Sequence, residues 1–152
     1  MARRVLFICT GNTCRSIMAE ALVRKALIAR GKDPEIQVFS AGTAALPNAG
    51  ASEEAVAVMQ EMGADLRQHK AVLLTPQVIE EADLVLTMTN AHKEHVEQLL
   101  PDSENKVFSL AEFAGRGADI VDPFGRSVEV YRQCAADLRY LIDLVLDKLL
   151  ES

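Results

Sequence analysis

Apolar and polar positions alternate in blocks along the chain, and each block has the length and period of a recognisable element. Val5-Leu6-Phe7-Ile8, between Arg4 and Cys9, is an unbroken apolar run ending in a turn, the pattern of a strand buried on both faces. Ile17 to Arg30 is rich in Ala, Leu and Met until Gly31 stops it, which predicts a helix. A second short strand is predicted over Ile36 to Phe39, running into Ser40-Ala41-Gly42-Thr43. Pro47-Asn48-Ala49-Gly50 reads as a loop, and Ser52-Glu53-Glu54 opens a helix that ends near Gly63. A short helix over Pro76 to Ala82 precedes a third buried strand, Leu84-Val85-Leu86, and a helix from Asn90 to Leu100. Pro101 to Lys106 is a polar turn before a fourth strand at Val107-Phe108, and a loop with Gly115, Gly117, Pro123 and Gly125 leads into a long final helix.

That helix carries the clearest period. Val128, Tyr131, Ala135, Leu138, Ile142, Val145 and Leu149 step by three and four, with Glu129, Arg132, Asp143 and Asp147 facing elsewhere. A coiled-coil seam is the alternative, but three heptads without a partner are marginal, so packing onto the sheet is expected. Strands alternating with helices predict an α/β fold with a doubly wound, four-stranded parallel sheet flanked by helices. Ligands of such sheets bind at the carboxyl ends of strands near a topological switch point, which makes Cys9 and Ser40 candidate positions. No repeat, low-complexity stretch or linker interrupts residues 1–152, and one domain is expected over that span.

Composition narrows the classes. A hydrophobic content of 49 % supports a real core, and 5 % aromatics without Trp make it aliphatic. A net charge of -6 argues against nucleic acid as a partner, which would need a basic face. No apolar run has membrane-spanning length, and no membrane association is expected. Met1-Ala2-Arg3-Arg4 before an apolar run suggests a leader peptide, but the run stops at Cys9 without a plausible cleavage site. Three cysteines, two of them five apart on one loop, fit a functional thiol in a reducing, cytoplasmic setting better than a disulfide framework.

The loop Cys9-Thr10-Gly11-Asn12-Thr13-Cys14-Arg15-Ser16 joins the first strand to the first helix. A phosphate dianion needs several inward N–H donors and little side-chain bulk, and Gly11 and Asn12 tolerate the left-handed backbone that folds such a nest. The helix start adds N–H groups and the positive end of its dipole. Arg15 closes the cradle with a guanidinium able to grip two phosphate oxygens. Such a field favours the thiolate form of a cysteine, the form that attacks, and Ser16 could cap the helix or donate to the sulfur. The Gly-Lys-Ser/Thr ending of a Walker loop is missing, and so are the three glycines of a dinucleotide fingerprint. The bland alternative is a buried strand-end thiol beside a surface arginine, and the strand-loop-helix context weighs against it.

Together with Met18-Ala19-Glu20, this loop resembles the signature of the low-molecular-weight protein phosphatases. The likeness continues through Ser40-Ala41-Gly42-Thr43, Ala82-Asp83-Leu84-Val85-Leu86-Thr87-Met88 and Asp122-Pro123-Phe124-Gly125, covering nearly the whole chain in the family's order. Ile17 departs from the family's usual proline at the first helical position, which affects the rigidity of the helix start and not the chemistry.

By its residues alone Asp122, stiffened by Pro123, is equally a general acid and the initiator of a turn. The resemblance implies the acid, in preference to Asp119, which lacks an adjoining proline. It further implies a two-step reaction: Cys9 takes the phosphoryl group while Asp122 protonates the leaving atom, and Asp122 then activates the hydrolytic water. Arg15 and the amides of Thr10, Gly11, Asn12, Thr13, Cys14 and Ser16 would hold the transition-state charge, with no metal or cofactor required. By motif position Ser40 and His69 would brace the Asn12 turn. His92 and His95 could mimic a metal pair but lack further ligands, and a solvated helix face is expected for both.

Thr13 matches the bacterial protein-arginine phosphatase branch of the family, where tyrosine-directed members usually carry a branched apolar residue. A hydroxyl there can satisfy a polar, narrow phosphoguanidinium, and Leu46 and Gly125 replace aromatic rings common in tyrosine-directed relatives, leaving Phe124 as the obvious wall. Phosphorylated proteins, acted on by a monomer, are therefore the expected partners, through phosphoarginine first and phosphotyrosine as the alternative. Arsenate reduction needs resolving cysteines that residues 70 to 100 lack, and Cys134 in the final helix reads as core. A binding module would need the nest and Arg15 but neither Cys9 nor Asp122. Cys14 is close enough to Cys9 along the loop for a reversible disulfide, and related enzymes use such a pair as a redox switch.

Overall fold

A computed structural model describes residues 2–150; Met1, Glu151 and Ser152, which the expected domain span includes, lie outside the described residues. Among the described residues four strands form one parallel sheet: β1 (Arg3–Cys9), β2 (Ile36–Gly42), β3 (Leu84–Thr87) and β4 (Val107–Ser109), in the order β2-β1-β3-β4. The helices are α1 (Arg15–Ala29), α2 (Glu53–Glu61), α3 (Pro76–Glu81), α4 (Asn90–Leu99), α5 (Leu110–Ala114) and α6 (Val128–Leu150).

The unbroken apolar run of β1 follows from its central place. Side chains of a strand point alternately to the two faces. Val5, Phe7 and Cys9 accordingly enter one core, with α1, α2 and α6, while Leu6 and Ile8 enter a second, with Ile79, Val85, Val96 and Val107. Neither face of the strand meets water, so no polar alternation is tolerated. α6 shares one core with Val5, Phe7 and Cys9 of the sheet and packs alongside α1, α2 and α5. Its buried stripe gains Leu141 and Leu146 over the expected positions, Cys134 is buried as expected, and Val128 and Leu149 stay half-buried.

Several boundaries differ from the sequence expectation. β2 does not end at Phe39, because Ser40, Ala41 and Gly42 continue the ladder opposite Phe7, Ile8 and Cys9. The polar turn Pro101–Lys106 is wound as a 3-10 helix, and a second 3-10 turn lies at Asp33–Glu35. α5 falls in a stretch expected to be loop. Its signal is the capping box Ser109-Leu110-Ala111-Glu112, in which Ser109 accepts from the Glu112 amide and the Glu112 carboxylate accepts in return. No helix among the described residues is long and apolar enough to cross a membrane.

β1 lies between β2 and β3, so the chain turns to opposite sides of it, and the loop that follows Cys9 opens at that switch point. The end of β2 presses against this loop. A Cβ on Gly42 would lie 2.4 Å from the Thr10 carbonyl oxygen and 2.9 Å from the Asn12 nitrogen, both backbone atoms. The glycine is therefore required for space. Gly42→Ala is expected to cost about 2 kcal/mol or more in thermal unfolding and to disturb the loop. Gly50→Ala, where a Cβ meets nothing within 4 Å, is the control, and equal melting of the two variants would contradict the steric reading.

Candidate active site

The Cys9–Ser16 loop turns on one residue. Asn12 has φ +56°, whereas Gly11, expected to share the left-handed conformation, does not. The reason lies in the Asn12 side chain, which is fully buried and saturated with partners. Its amide nitrogen donates to Ser40 Oγ (2.9 Å) and Ser16 Oγ (2.7 Å), and its Oδ1 accepts from the Val72 amide (2.9 Å). The Asn12 carbonyl accepts from His69 Nε2 (2.6 Å), so that ring nitrogen carries a proton. Ser40 passes the chain outward by donating to Glu20 Oε1 (2.7 Å), and buried Glu20 is paired with Arg24. Glycine has no side chain with which to build this network.

Ser16 Oγ accepts from Asn12 and lies 2.9 Å from Cys9 Sγ, where its hydroxyl is placed to donate to a thiolate. The Asn12 amide N–H also points at the sulfur (3.3 Å). A backbone N–H and a hydroxyl thus converge on one sulfur at the carboxyl end of β1.

Arg15, the first residue of α1, is 4 % exposed. Its Nη1 donates to the Ile120 carbonyl (2.9 Å), its Nη2 lies 3.7 Å from Asp122 Oδ2, and its Nε is buried without a partner. Asp122 is half-exposed, and its Oδ1 accepts from the Phe124 amide (3.0 Å), which closes a turn stiffened by Pro123 and relieved by Gly125 at φ +76°. Asp119 faces elsewhere and accepts from the Asn90 amide at the start of α4 (3.1 Å). A cavity of about 300 Å³ brings Cys9, Thr13, Arg15 and Asp122 together, with Leu46 and Phe124 at its mouth. Those two apolar side chains are 75 % and 69 % exposed.

Behind the loop, Cys14 is buried with its sulfur 3.2 Å from the Tyr131 hydroxyl and 3.5 Å from Ser52 Oγ. Ser52 caps α2, and its amide donates to the Thr13 carbonyl (3.0 Å), so one residue ties α2 to two positions of the loop. Burial, and then the hydrogen bond to Cys14, raise the Tyr131 phenol above its ordinary range. Cys9, Cys14 and Cys134 are all free thiols. Burial pushes the Cys134 thiol up to about 12, which suits its place in the core.

His92 does not lie on a solvated face as expected. It is 8 % exposed, with Nε2 2.9 Å from Thr10 Oγ1 and Nδ1 2.9 Å from Thr89 Oγ1, while His95 is exposed. The sequence reading missed His92 because its stretch of α4 is otherwise polar. Tyr131 was visible only as a core position, although a buried phenol needs a partner and so signals one.

The chain matches the family described as low molecular weight phosphotyrosine protein phosphatase over residues 4–152. It is 40 % identical over 150 residues to the protein-arginine-phosphatase of Geobacillus stearothermophilus, covering 98 % of this chain and 97 % of that one. It is 41 % identical over 139 residues to the protein-arginine-phosphatase of Bacillus subtilis (strain 168), covering 91 % of each. The crystal structure of the low molecular weight protein tyrosine phosphatase from T. tengcongensis superposes with a TM-score of 0.91 at 41 % identity, covering 97 % of this chain and 99 % of that one.

Burial, and next the Arg15 charge, lower the His92 pKa from 6.5 to about 4. Below pH 6.5 the unfolded chain binds a proton that the folded chain refuses. This contribution to stability is therefore complete above that pH and is lost as the pH falls toward 4, by at most roughly 1.4 kcal/mol per pH unit. Urea unfolding between pH 7.5 and 4.5 is expected to show a shallower acid loss in His92→Gln than in the parent. Equal slopes would mean that the imidazole is not held neutral.

Proposed function

The chain belongs to the low molecular weight phosphotyrosine protein phosphatase family and is a phosphatase; from that premise we propose that it hydrolyses phosphoarginine side chains of proteins, with Cys9 as nucleophile, Arg15 as phosphate ligand and Asp122 as acid and base. The observation that carries this reading is the one cavity shared by a sulfur met by a backbone N–H and a hydroxyl, a buried guanidinium with an unpartnered Nε and a half-exposed carboxylate. A phosphoryl oxygen supplies the acceptor that Arg15 Nε lacks, and the other oxygens meet the loop amides.

In the first step Cys9 Sγ bonds to phosphorus as the phosphorus–nitrogen bond breaks. The electron pair of that bond goes to the departing nitrogen, which takes a proton from Asp122. In the second, water attacks phosphorus, Asp122 accepts the water's proton, and the sulfur–phosphorus bond breaks. The electron pair returns to Cys9, where Ser16 O–H and Asn12 N–H stabilise it. Every step uses groups of the chain and water.

The choice of phosphoarginine is supported by Thr13, a small hydroxyl residue on the cavity wall, and by the two relatives named protein-arginine-phosphatase. Phosphotyrosine is the second reading, favoured by exposed Phe124, whose ring could stack on an aromatic substrate. The reading places the enzyme in the cytoplasm as a monomer, where free thiols persist. It includes a reversible Cys9–Cys14 disulfide formed by peroxide, which would break the Cys14 contacts to Tyr131 and Ser52.

Cys9→Ser is expected to bind inorganic phosphate and to release none from a phosphopeptide; persistent turnover would remove Cys9 as nucleophile. Asp122→Asn should lower kcat by about 10²- to 10⁴-fold. Thr13→Ile should lower kcat/KM for a phosphoarginine peptide relative to a phosphotyrosine peptide by about 10- to 100-fold. An unchanged ratio would sink the arginine assignment while leaving the phosphatase reading intact.

A further inference from the structure

We propose that His92 is a positioning residue of this site, tethering the first residue after Cys9 to the β3–α4 junction that also anchors the segment carrying Asp122. The proposal rests on the roles given above to Cys9 and Asp122. It starts from the direction of the hydrogen bonds. A neutral imidazole has one N–H to give. Thr89 Oγ1 already accepts from the His92 backbone amide (3.1 Å). A proton on Nδ1 would make that oxygen accept twice and leave its own hydrogen without the imidazole as acceptor. With the proton on Nε2, the Thr89 hydroxyl donates to Nδ1 and Nε2 donates to Thr10 Oγ1, so both ring nitrogens and the Thr89 hydroxyl are satisfied and the exposed Thr10 hydroxyl keeps its own hydrogen for solvent.

Thr10 is then held from two sides. Its carbonyl accepts from the Ala44 amide (2.9 Å), and the Cys9 carbonyl accepts from the Thr43 amide (2.9 Å), both from the segment after β2. His92 supplies the hold from the other neighbour of β1. The same junction carries the acid segment. The Met88 carbonyl accepts from the Ile120 amide (2.9 Å), and the Asn90 amide donates to Asp119. Ile120 in turn accepts from Arg15. Residues 88–92 thus fix the nucleophile's loop and the acid's segment to one short stretch of backbone. The charged and titratable groups that act on His92 are Arg15, Asp119, Asp122 and His95. A second ring proton, on Nδ1, would displace the Thr89 donation and add positive charge to a ring that already feels Arg15.

The test is steady-state kinetics on a phosphoarginine peptide and on p-nitrophenyl phosphate, with thermal melting of each variant. His92→Gln can present an N–H where Nε2 stands, whereas His92→Asn reaches only the Nδ1 position. His92→Gln is expected to keep kcat within about threefold of the parent. His92→Asn should lose about tenfold or more in kcat with KM little changed, as misplacement of reacting groups does. Thr10→Val should show the same loss and add nothing to His92→Asn. Equal kcat for the Asn and Gln variants would overturn the proposal, and so would a Thr10→Val enzyme with parental kcat. The Thr10 variant decides the matter if the His92 variants fail to fold. Cys9→Ser run in parallel separates the two levels, because its residual turnover would overturn the underlying site and not the tether alone.

Discussion

A side-chain-bearing residue at φ +56° is costly unless something holds it there, and at Asn12 the hold is a fully buried amide with every hydrogen-bonding group engaged. The rest of the site depends on this constraint. The turn aims the Asn12 N–H at Cys9, and the Asn12 side chain holds Ser16 Oγ beside the same sulfur. It also draws in Ser40 from β2 and, from the connection between α2 and α3, the Val72 amide and His69, so two separate stretches of chain converge on one residue. Loss of any partner would leave a buried polar group unsatisfied, at about 1–3 kcal/mol each.

The network ends in charge at one side and at chemistry on the other. Glu20 is buried, and Arg24 and the Ser40 hydroxyl balance it. Arg15 is equally buried, and only the Ile120 carbonyl and the more distant Asp122 balance it. Glu20 is thus paired on both oxygens, whereas Arg15 keeps an unpartnered Nε, the hydrogen-bonding capacity that the proposed role as phosphate ligand needs. The net charge of -6 is a sum over the chain and does not describe the surroundings of this buried guanidinium.

Sheet order explains why these residues meet. Because β1 pairs with β2 on one side and β3 on the other, the loop after Cys9 has the ends of both neighbours beside it. The β2 end contributes Ser40 and the close approach of Gly42, and the β3 end contributes Met88, Thr89 and His92. The mouth is made from longer connections, with Leu46 from the segment after β2 and Phe124 from the segment before α6. Its apolar rim above a polar floor suits a phosphorylated side chain carried by a protein.

The sequence alone determined what is local. A four-residue apolar run followed by a tight polar loop has the pattern of a strand buried on both sides, which located β1 and the loop after it. The three-and-four period of the last helix named most of its buried face, and the strand-loop-helix context of Cys9 to Arg15, with Gly11-Asn12 between them, made an anion site the expectation there. Tertiary structure decided the rest, because the deciding contacts join residues far apart in the chain. Asn12 rather than Gly11 takes the left-handed turn since Ser40, His69 and Val72 arrive to saturate it. Tyr131 serves the loop as well as the core because α6 delivers its hydroxyl to Cys14 across 117 residues of chain. His92, on a stretch that reads as solvated, is buried because Thr10 and Thr89 satisfy both its ring nitrogens. Hydrophobic periodicity records which face of an element avoids water, but it carries no record of which distant polar group will be waiting there.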